Sequence, residues 1–255
     1  MLYNLSTLEK FALGAIDGSI GGVEDFYFDD EALTIRYLVV DTGNWLSGRK
    51  VLISPRSLGQ VDWDGGRIEV KLRREQVEKS PSIDTHKPIS RQAETDFHDH
   101  YGYPYYWGGP YLWGPAAYPF LPPSGPLEET TQTKELRAML EKQRMEDQHL
   151  RSTREVTNYH IEASDGEIGH IEDFIVEDAN WAIRYVVVDT KNWWPGKKVL
   201  VSPQWFHTVS WNDSKMHIDI GREQIKQAPE YEKNTQITRE YEQRVYRHYH
   251  RQGYW

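Results

Sequence analysis

Apolar and polar positions alternate in short bursts along this chain, and turn residues punctuate the bursts. Residues 21–28 form one run, halted at Asp29-Asp30. Residues 34–40, Thr-Ile-Arg-Tyr-Leu-Val-Val, are rich in β-branched and aromatic side chains, which pack well on a pleated surface. The loop 41–48 separates them from Lys50-Val-Leu-Ile53, which stops at Ser54-Pro55. Residues 60–63 meet Asp64-Gly-Gly66, a hairpin signal, and 67–72 alternate back. Strands this short, spaced by about 8 to 12 residues, predict a small closed or nearly closed antiparallel barrel. Closure hides the edges that a small open sheet would expose. Helical signals follow: residues 73–81 read as one or two turns stopped by Pro81. Residues 90–100 are helix-compatible and run into the aromatic string Tyr101-Gly-Tyr-Pro-Tyr-Tyr-Trp107.

The whole pattern then returns. Asp17-Gly-Ser-Ile-Gly-Gly-Val-Glu-Asp-Phe26 reappears as Asp165-Gly-Glu-Ile-Gly-His-Ile-Glu-Asp-Phe174, an offset of 148 residues that holds without a gap to Trp107 and Trp255. Between 17–81 and 165–229 about 29 of 65 positions are identical. Two copies are too few for a solenoid, so the repeat predicts a tandem of domains. We therefore expect mainly β architecture: two small antiparallel barrels with short appended helices and a connecting helix. The first barrel is assigned to residues 5–81, with its helix and aromatic tail at 82–107. The second barrel is assigned to 153–229, with its helix and tail at 230–255. Between them, residues 108–152 divide into a Gly/Pro/aromatic linker, extended or turn-filled to about 127, and a charged helix to about 151. Leu136, Met139, Leu140 and Gln143 give that helix a weak stripe at helical spacing.

Composition narrows the chemistry. The chain has 255 residues and no cysteine, which excludes disulfides, thiolate catalysis and cysteine-ligated metals. No secretory leader and no long apolar run appears, so a cytoplasmic chain without a membrane span is expected. The net charge of −9 opposes a general electrostatic grip on nucleic acid, and no DNA partner is expected. Ten Trp and sixteen Tyr are more than two small cores need, which points to contact surfaces.

Several suggestive residues have plainer roles. Gly18, Gly21, Gly166 and Gly169 fit neither phosphate-loop pattern and predict a tight turn followed by a bulge or crowded corner. Glu24-Asp25 and Glu172-Asp173 are adjacent on strands, so each pair cannot converge on one cleft. An ion pair from one carboxylate of each pair to Arg36 or Arg184 on a neighbouring strand is the expected use. Asp41, Asn44, Asp189 and Asn192 suit loop ordering through side-chain hydrogen bonds. Beside them, Trp45, Trp193 and Trp194 either fold over a barrel mouth or contact a partner. His98 and His100 could ligate a metal, but the matched positions are Tyr246 and His248. His160, His170, His207 and His217 occur only in the second copy, so neither a metal nor a cofactor is expected. Asp96 and Asp99 are matched by Arg244 and Arg247, and spacing of three puts each pair on one helix face. Those faces either pair with one another, in this chain or a second one, or stay solvated.

The residues Asp17-Gly18, Gly21, Glu24-Asp25-Phe26, residues 35–41 and Lys50-Val-Leu-Ile-Ser-Pro55 resemble the PRC-barrel family, and so do their counterparts in the second copy. The resemblance covers roughly half the chain. It implies a barrel that mainly holds other macromolecules, as in the cytoplasmic part of the reaction-centre H subunit and the C-terminal domain of the ribosome-maturation factor. The expected function is a non-enzymatic bacterial protein-binding or scaffolding module. Its partner would be a protein of unknown identity or a second copy of the chain. Trp45, Trp193, Trp194, Tyr106, Trp107, Tyr254 and Trp255 are the expected contact residues. An accessory role in photosynthetic or respiratory electron transfer stands second, since no N-terminal membrane helix like the H subunit's is seen. Ribosome or RNA maturation stands third because of the net charge.

Overall fold

A computed structural model describes residues 1–83, 89–121, 149–190 and 196–255. The chain divides into two compact units, each carrying one seven-stranded sheet. The elements in chain order are β1 (Leu2–Asn4), α1 (Leu5–Leu8), β2 (Ala12–Ala15), β3 (Gly18–Asp29), β4 (Thr34–Asp41), β5 (Lys50–Ile53), β6 (Leu58–Asp62), β7 (Arg67–Val70), α2 (Arg74–Glu78) and α3 (Arg91–Tyr101). The second set is β8 (Leu150–Ser152), α4 (Thr153–Val156), β9 (His160–Ala163), β10 (Gly166–Glu177), β11 (Ile183–Asp189), β12 (Lys198–Val201), β13 (Phe206–Ser210), β14 (Lys215–Ile218), α5 (Arg222–Lys226) and α6 (Arg239–His248).

In the unit built on the first repeat the strands run in the order β5-β4-β3-β2-β7-β6. The end strands β5 and β6 are joined by the 3-10 turn Pro55–Ser57, so the sheet must curl until its two edges approach. It is barrel-like, although among the described residues no hydrogen-bonded ladder closes it. The unit built on the second repeat repeats this order as β12-β11-β10-β9-β14-β13, with the turn Pro203–Trp205. One pair in each sheet departs from the antiparallel expectation: β2 with β7 and β9 with β14 run parallel.

β4 lies between β5 and β3 and is buried on both faces to Val40, which is why its sequence is a mostly apolar run. The repeated Asp-Gly pair serves two purposes. The Asp17 carboxylate accepts the Arg74 amide at 2.8 Å and Asp165 accepts the Arg222 amide at 2.7 Å, so each caps a short helix. Gly18 (φ 152°) and Gly166 (φ 123°) then turn the chain in a region closed to other residues. At Gly21 an added Cβ would lie 1.9 Å from the Asp41 carbonyl oxygen, and at Gly169 2.1 Å from that of Asp189. These are the crowded corners the sequence implied.

The tails are not separate from the barrels. Ser90 caps α3 by accepting the Ala93 amide, and Thr238 caps α6 through the Tyr241 amide. Phe97 and Tyr103 join Tyr27, Tyr37, Val39 and Leu52 in one buried cluster. The segment after Trp107 is turn-filled as expected, yet it docks: Trp113 is 1% exposed, and its indole donates to the Asn180 carbonyl at 2.8 Å. Most of the expected charged helix lies outside the described residues. Its end is corrected, because Leu150–Ser152 is a strand.

That strand does not belong to the sheet of the repeat it introduces. β8 pairs with β3, Leu150 facing Asp29, while β1 pairs with β10, Leu2 facing Glu177. These pairings are equivalent under the 148-residue offset. The compact units accordingly group Met1–Ser6 with Thr153–Asp178 and Ala182–Trp255, and Thr7–Ser152 with Ala179–Trp181. Each leading strand completes the other repeat's sheet. Among the described residues no helix is long and apolar enough to cross a membrane.

Candidate functional site

The most concentrated chemistry in the first-repeat unit is a buried carboxylate. Glu94, one turn into α3, sits 1% exposed beneath β4 and the aromatic tail. Arg91 Nη1 pairs with its Oε2 at 2.8 Å, while the hydroxyls of Tyr106 and Tyr37 donate to Oε1 at 2.5 and 3.2 Å. Burial pushes the Glu94 carboxyl up to about 7, against the pull of Arg91 and the two tyrosines. Both tyrosines are pushed well above their ordinary range, chiefly by burial and then by Glu94. His98, one turn further on, is held neutral: burial and then Arg56 lower it to about 3. Its Nδ1 therefore donates to the Pro104 carbonyl at 3.2 Å, and Nε2 lies 3.0 Å from the Tyr37 hydroxyl.

Two further arginines fasten the segment after the tail. Arg36 pairs with Asp29 at 3.0 Å, donates to the Leu112 carbonyl at 2.7 Å and stacks on Tyr106 at 3.9 Å. Arg56 donates to the carbonyls of Trp113 (2.7 Å) and Phe120 (3.0 Å). Burial, then Arg36, lowers Arg56 to about 10, so it remains a cation at neutral pH. A planar guanidinium with several donors can hold carbonyls and ring faces together, which a lysine could not.

The second-repeat unit rebuilds the core of this arrangement. Glu242 accepts Tyr185 and Tyr254 hydroxyls at 2.8 and 2.6 Å, and Arg239 pairs with it at 3.0 Å. Arg184 pairs with Glu177 and lies over Tyr254 at 4.1 Å. His98 and Arg56 have no such counterparts, since Tyr246 and Gln204 stand there. What survives in both copies is a carboxylate that ties the tail helix, the barrel strand and the terminal tyrosine together. Chemically it is a clamp; a carboxylate this buried and this fully hydrogen-bonded offers no surface to a substrate.

The structure spreads out the expected site residues. Tyr106, at 5% exposure, is interior to the clamp and presents nothing to a partner. Trp107 is half-buried, stacked on Tyr105 (centroids 4.7 Å, 8° between planes) with Arg91 over its ring at 4.2 Å. Tyr254 is half-buried in the second clamp, whereas Trp255 is 51% exposed although Arg239 lies 4.3 Å over its ring. Trp45 is half-buried with Arg74 over its ring at 4.3 Å. Asn192, Trp193 and Trp194 lie outside the described residues.

Among the motif residues, Asp41 orders its loop by accepting the Gly43 amide at 2.8 Å, as expected. Asn44 is exposed and Asp189 is buried. The expected ion pair is corrected. Arg36 meets Asp29 rather than Glu24 or Asp25, and Arg184 meets Glu177 rather than Glu172 or Asp173. Glu24 and Glu172 instead pair with Lys50 and Lys198. Register explains it, because Tyr27 faces Tyr37 and Phe28 faces Ile35, leaving Arg36 as a bulge residue aimed toward the strand end. Asp25 and Asp173 hold the leading strands: Ser152 Oγ donates to Asp25 at 2.5 Å, and Ser6 donates its amide (3.2 Å) and its hydroxyl to Asp173. Among the described residues no group of three His, Asp or Glu side chains gathers in a metal-holding arrangement.

Tyr37, Arg91 and Glu94, with Tyr185, Arg239 and Glu242, are the residues that reading the sequence missed. The signal was present, because all three are identical at the 148-residue offset.

The sequence of the first repeat matches a known domain family. Residues 14–77 are a PRC-barrel domain. The match lies in the first repeat, and the second repeat carries the same strand order. The chain is also similar to an uncharacterised protein of Deinococcus radiodurans, 31% identical over 114 residues, which is 38% of this chain and 41% of that protein. The match thus spans less than half of that relative's length.

Proposed function

We propose that the chain is a non-catalytic protein-binding or scaffolding module whose second-repeat unit grips an acidic segment of a protein partner. The observation that carries this reading is a groove of about 680 Å3 between α5 and α6, lined by Gln224, Gln227, Arg244, Arg247, His248 and His250. Arg244 lies over Tyr241 at 5.2 Å, and among the described residues no carboxylate holds Arg244 or Arg247. In a chain of net charge −9, such a local concentration of cations draws anionic groups and repels few of its own kind. The first repeat places Asp96 and Asp99 at the matching positions, so the groove is a specialisation of the second copy. The overall negative charge favours an acidic protein surface over a nucleic acid, whose charge density would meet repulsion beyond the groove. Burial of both clamp carboxylates supports the non-catalytic half of the reading.

Affinity capture with the full chain and with R244E/R247E tests it. A protein with an acidic binding segment should be held by the wild type, weaken as salt rises, and be lost on charge reversal. Equal capture by both chains, or capture of nucleic acid alone, would overturn the reading.

A further inference from the structure

We propose that the edge of β10 beyond β9, which β1 of the same chain occupies, is an exchangeable binding site for an extended segment, and that its ligand in trans is the leading segment, residues 1–6, of a second copy of this chain. This goes beyond the acidic-partner reading and does not rest on it.

β10 is twelve residues long, but β9 covers it only from Gly166 to His170. Past that point the strand would bare a row of backbone N–H and C=O groups, a template for an added strand. β1 fills it in register, Leu2 on Glu177, Tyr3 on Val176 and Asn4 on Ile175. Side chains make the site selective for this sequence. Asn4 Nδ2 donates to the Tyr231 hydroxyl at 2.8 Å and to the Lys233 carbonyl at 3.2 Å, and Lys233 Nζ donates to Ser6 Oγ at 2.7 Å. Asp173 takes Ser6 as described, and Leu5 is 1% exposed.

The second slot shows that this is a rule of the module. β2 covers β3 only from Gly18 to Gly22, and β8 takes Tyr27 to Asp29. Arg151 pairs with Asp30 at 2.9 Å there, and Leu150 joins the core cluster. Donors and acceptors are equivalent under the repeat offset, yet each donor serves the unit built on the other repeat. A chain with one repeat could satisfy this geometry only with a second molecule. The duplication supplies both partners in one chain, and a leader from another molecule makes the same contacts. Exchange between chains therefore conserves every interaction and is limited by local concentration, which for a tethered segment is on the order of mM.

The absence of cysteine permits a direct test. Full-length chains carrying Tyr3→Cys alone and Val176→Cys alone are mixed, unfolded and refolded together, then oxidised. Neither can close an internal disulfide, so a mixed covalent dimer reports a leader seated in another molecule's slot. The mixed dimer should exceed either like-with-like dimer and rise in proportion to concentration. At about 100 µM protein it should reach roughly a tenth of the chains, given that tethered concentration. A synthetic peptide of residues 1–8 in excess should suppress it. A mixed dimer no more abundant than the like-with-like dimers, or one indifferent to the peptide, overturns the proposal, whatever R244E/R247E does to partner capture.

Discussion

Glu94 and His98 give the first-repeat unit two opposing pH dependences. The Glu94 carboxyl is raised to about 7 in the folded chain, whereas an unfolded glutamate titrates near 4.5. Between those values the folded state holds a proton that the unfolded state has released. Its contribution is therefore complete below about pH 4.5 and lost as pH rises through about 7, a change of roughly 3 kcal/mol at most. His98, lowered to about 3 from the ordinary 6.5, makes stability rise with pH up to about 6.5 and so offsets the Glu94 fall over that range. In denaturant unfolding Glu94→Gln should therefore show stability rising more steeply with pH than wild type does, and an unchanged slope would mean that Glu94 is not the titrating group. Tyr37→Phe removes one donor from the same carboxylate and should cost about 1 to 3 kcal/mol at neutral pH, read from the shift in the unfolding midpoint. At this scale the sequence was a mixed guide. Glycines that turn or crowd were legible, because their conformational need is local. The partner of Arg36 was not, because strict alternation takes no account of bulges, and one bulge moved the side chain past Glu24-Asp25 to Asp29.

Between elements, close approach of backbones decides more than side-chain identity does. Gly21 and Gly22 are neighbours on β3 with opposite surroundings, an added Cβ meeting the Asp41 carbonyl at 1.9 Å in the first case and nothing within 4 Å in the second. Gly21→Ala should destabilise by about 3 kcal/mol and Gly22→Ala by a small fraction of that, measured side by side by chemical denaturation. The segment after Trp107 makes a similar point. Its Gly and Pro content predicts turns, which it has, but composition says nothing about where turns dock. Trp113 is buried under two arginines, so Trp113→Ala should cost about 3 to 5 kcal/mol, and loss of less than 1 kcal/mol would contradict the docking. Strand positions were readable from alternation. Strand direction was not, since a parallel and an antiparallel neighbour impose the same two-residue period, and β2 with β7 emerged parallel.

Over the whole molecule the repeat was plain from the first alignment of the chain on itself, but its boundaries do not match those of the folded units. A leading strand of three residues carries too little pattern to announce which sheet it joins, and pairing across the repeats uses the same residues as pairing within one. The exchange makes each sheet depend on residues more than 100 positions away in sequence, here Leu2–Asn4 for β10 and Leu150–Ser152 for β3. It is the central claim of this account, and two full-length double variants decide it at concentrations dilute enough to keep disulfides within one molecule. The exchanged arrangement predicts that Tyr3→Cys with Val176→Cys closes a disulfide in the folded monomer while Tyr3→Cys with Phe28→Cys does not. A disulfide between positions 3 and 28, with none between 3 and 176, would contradict it.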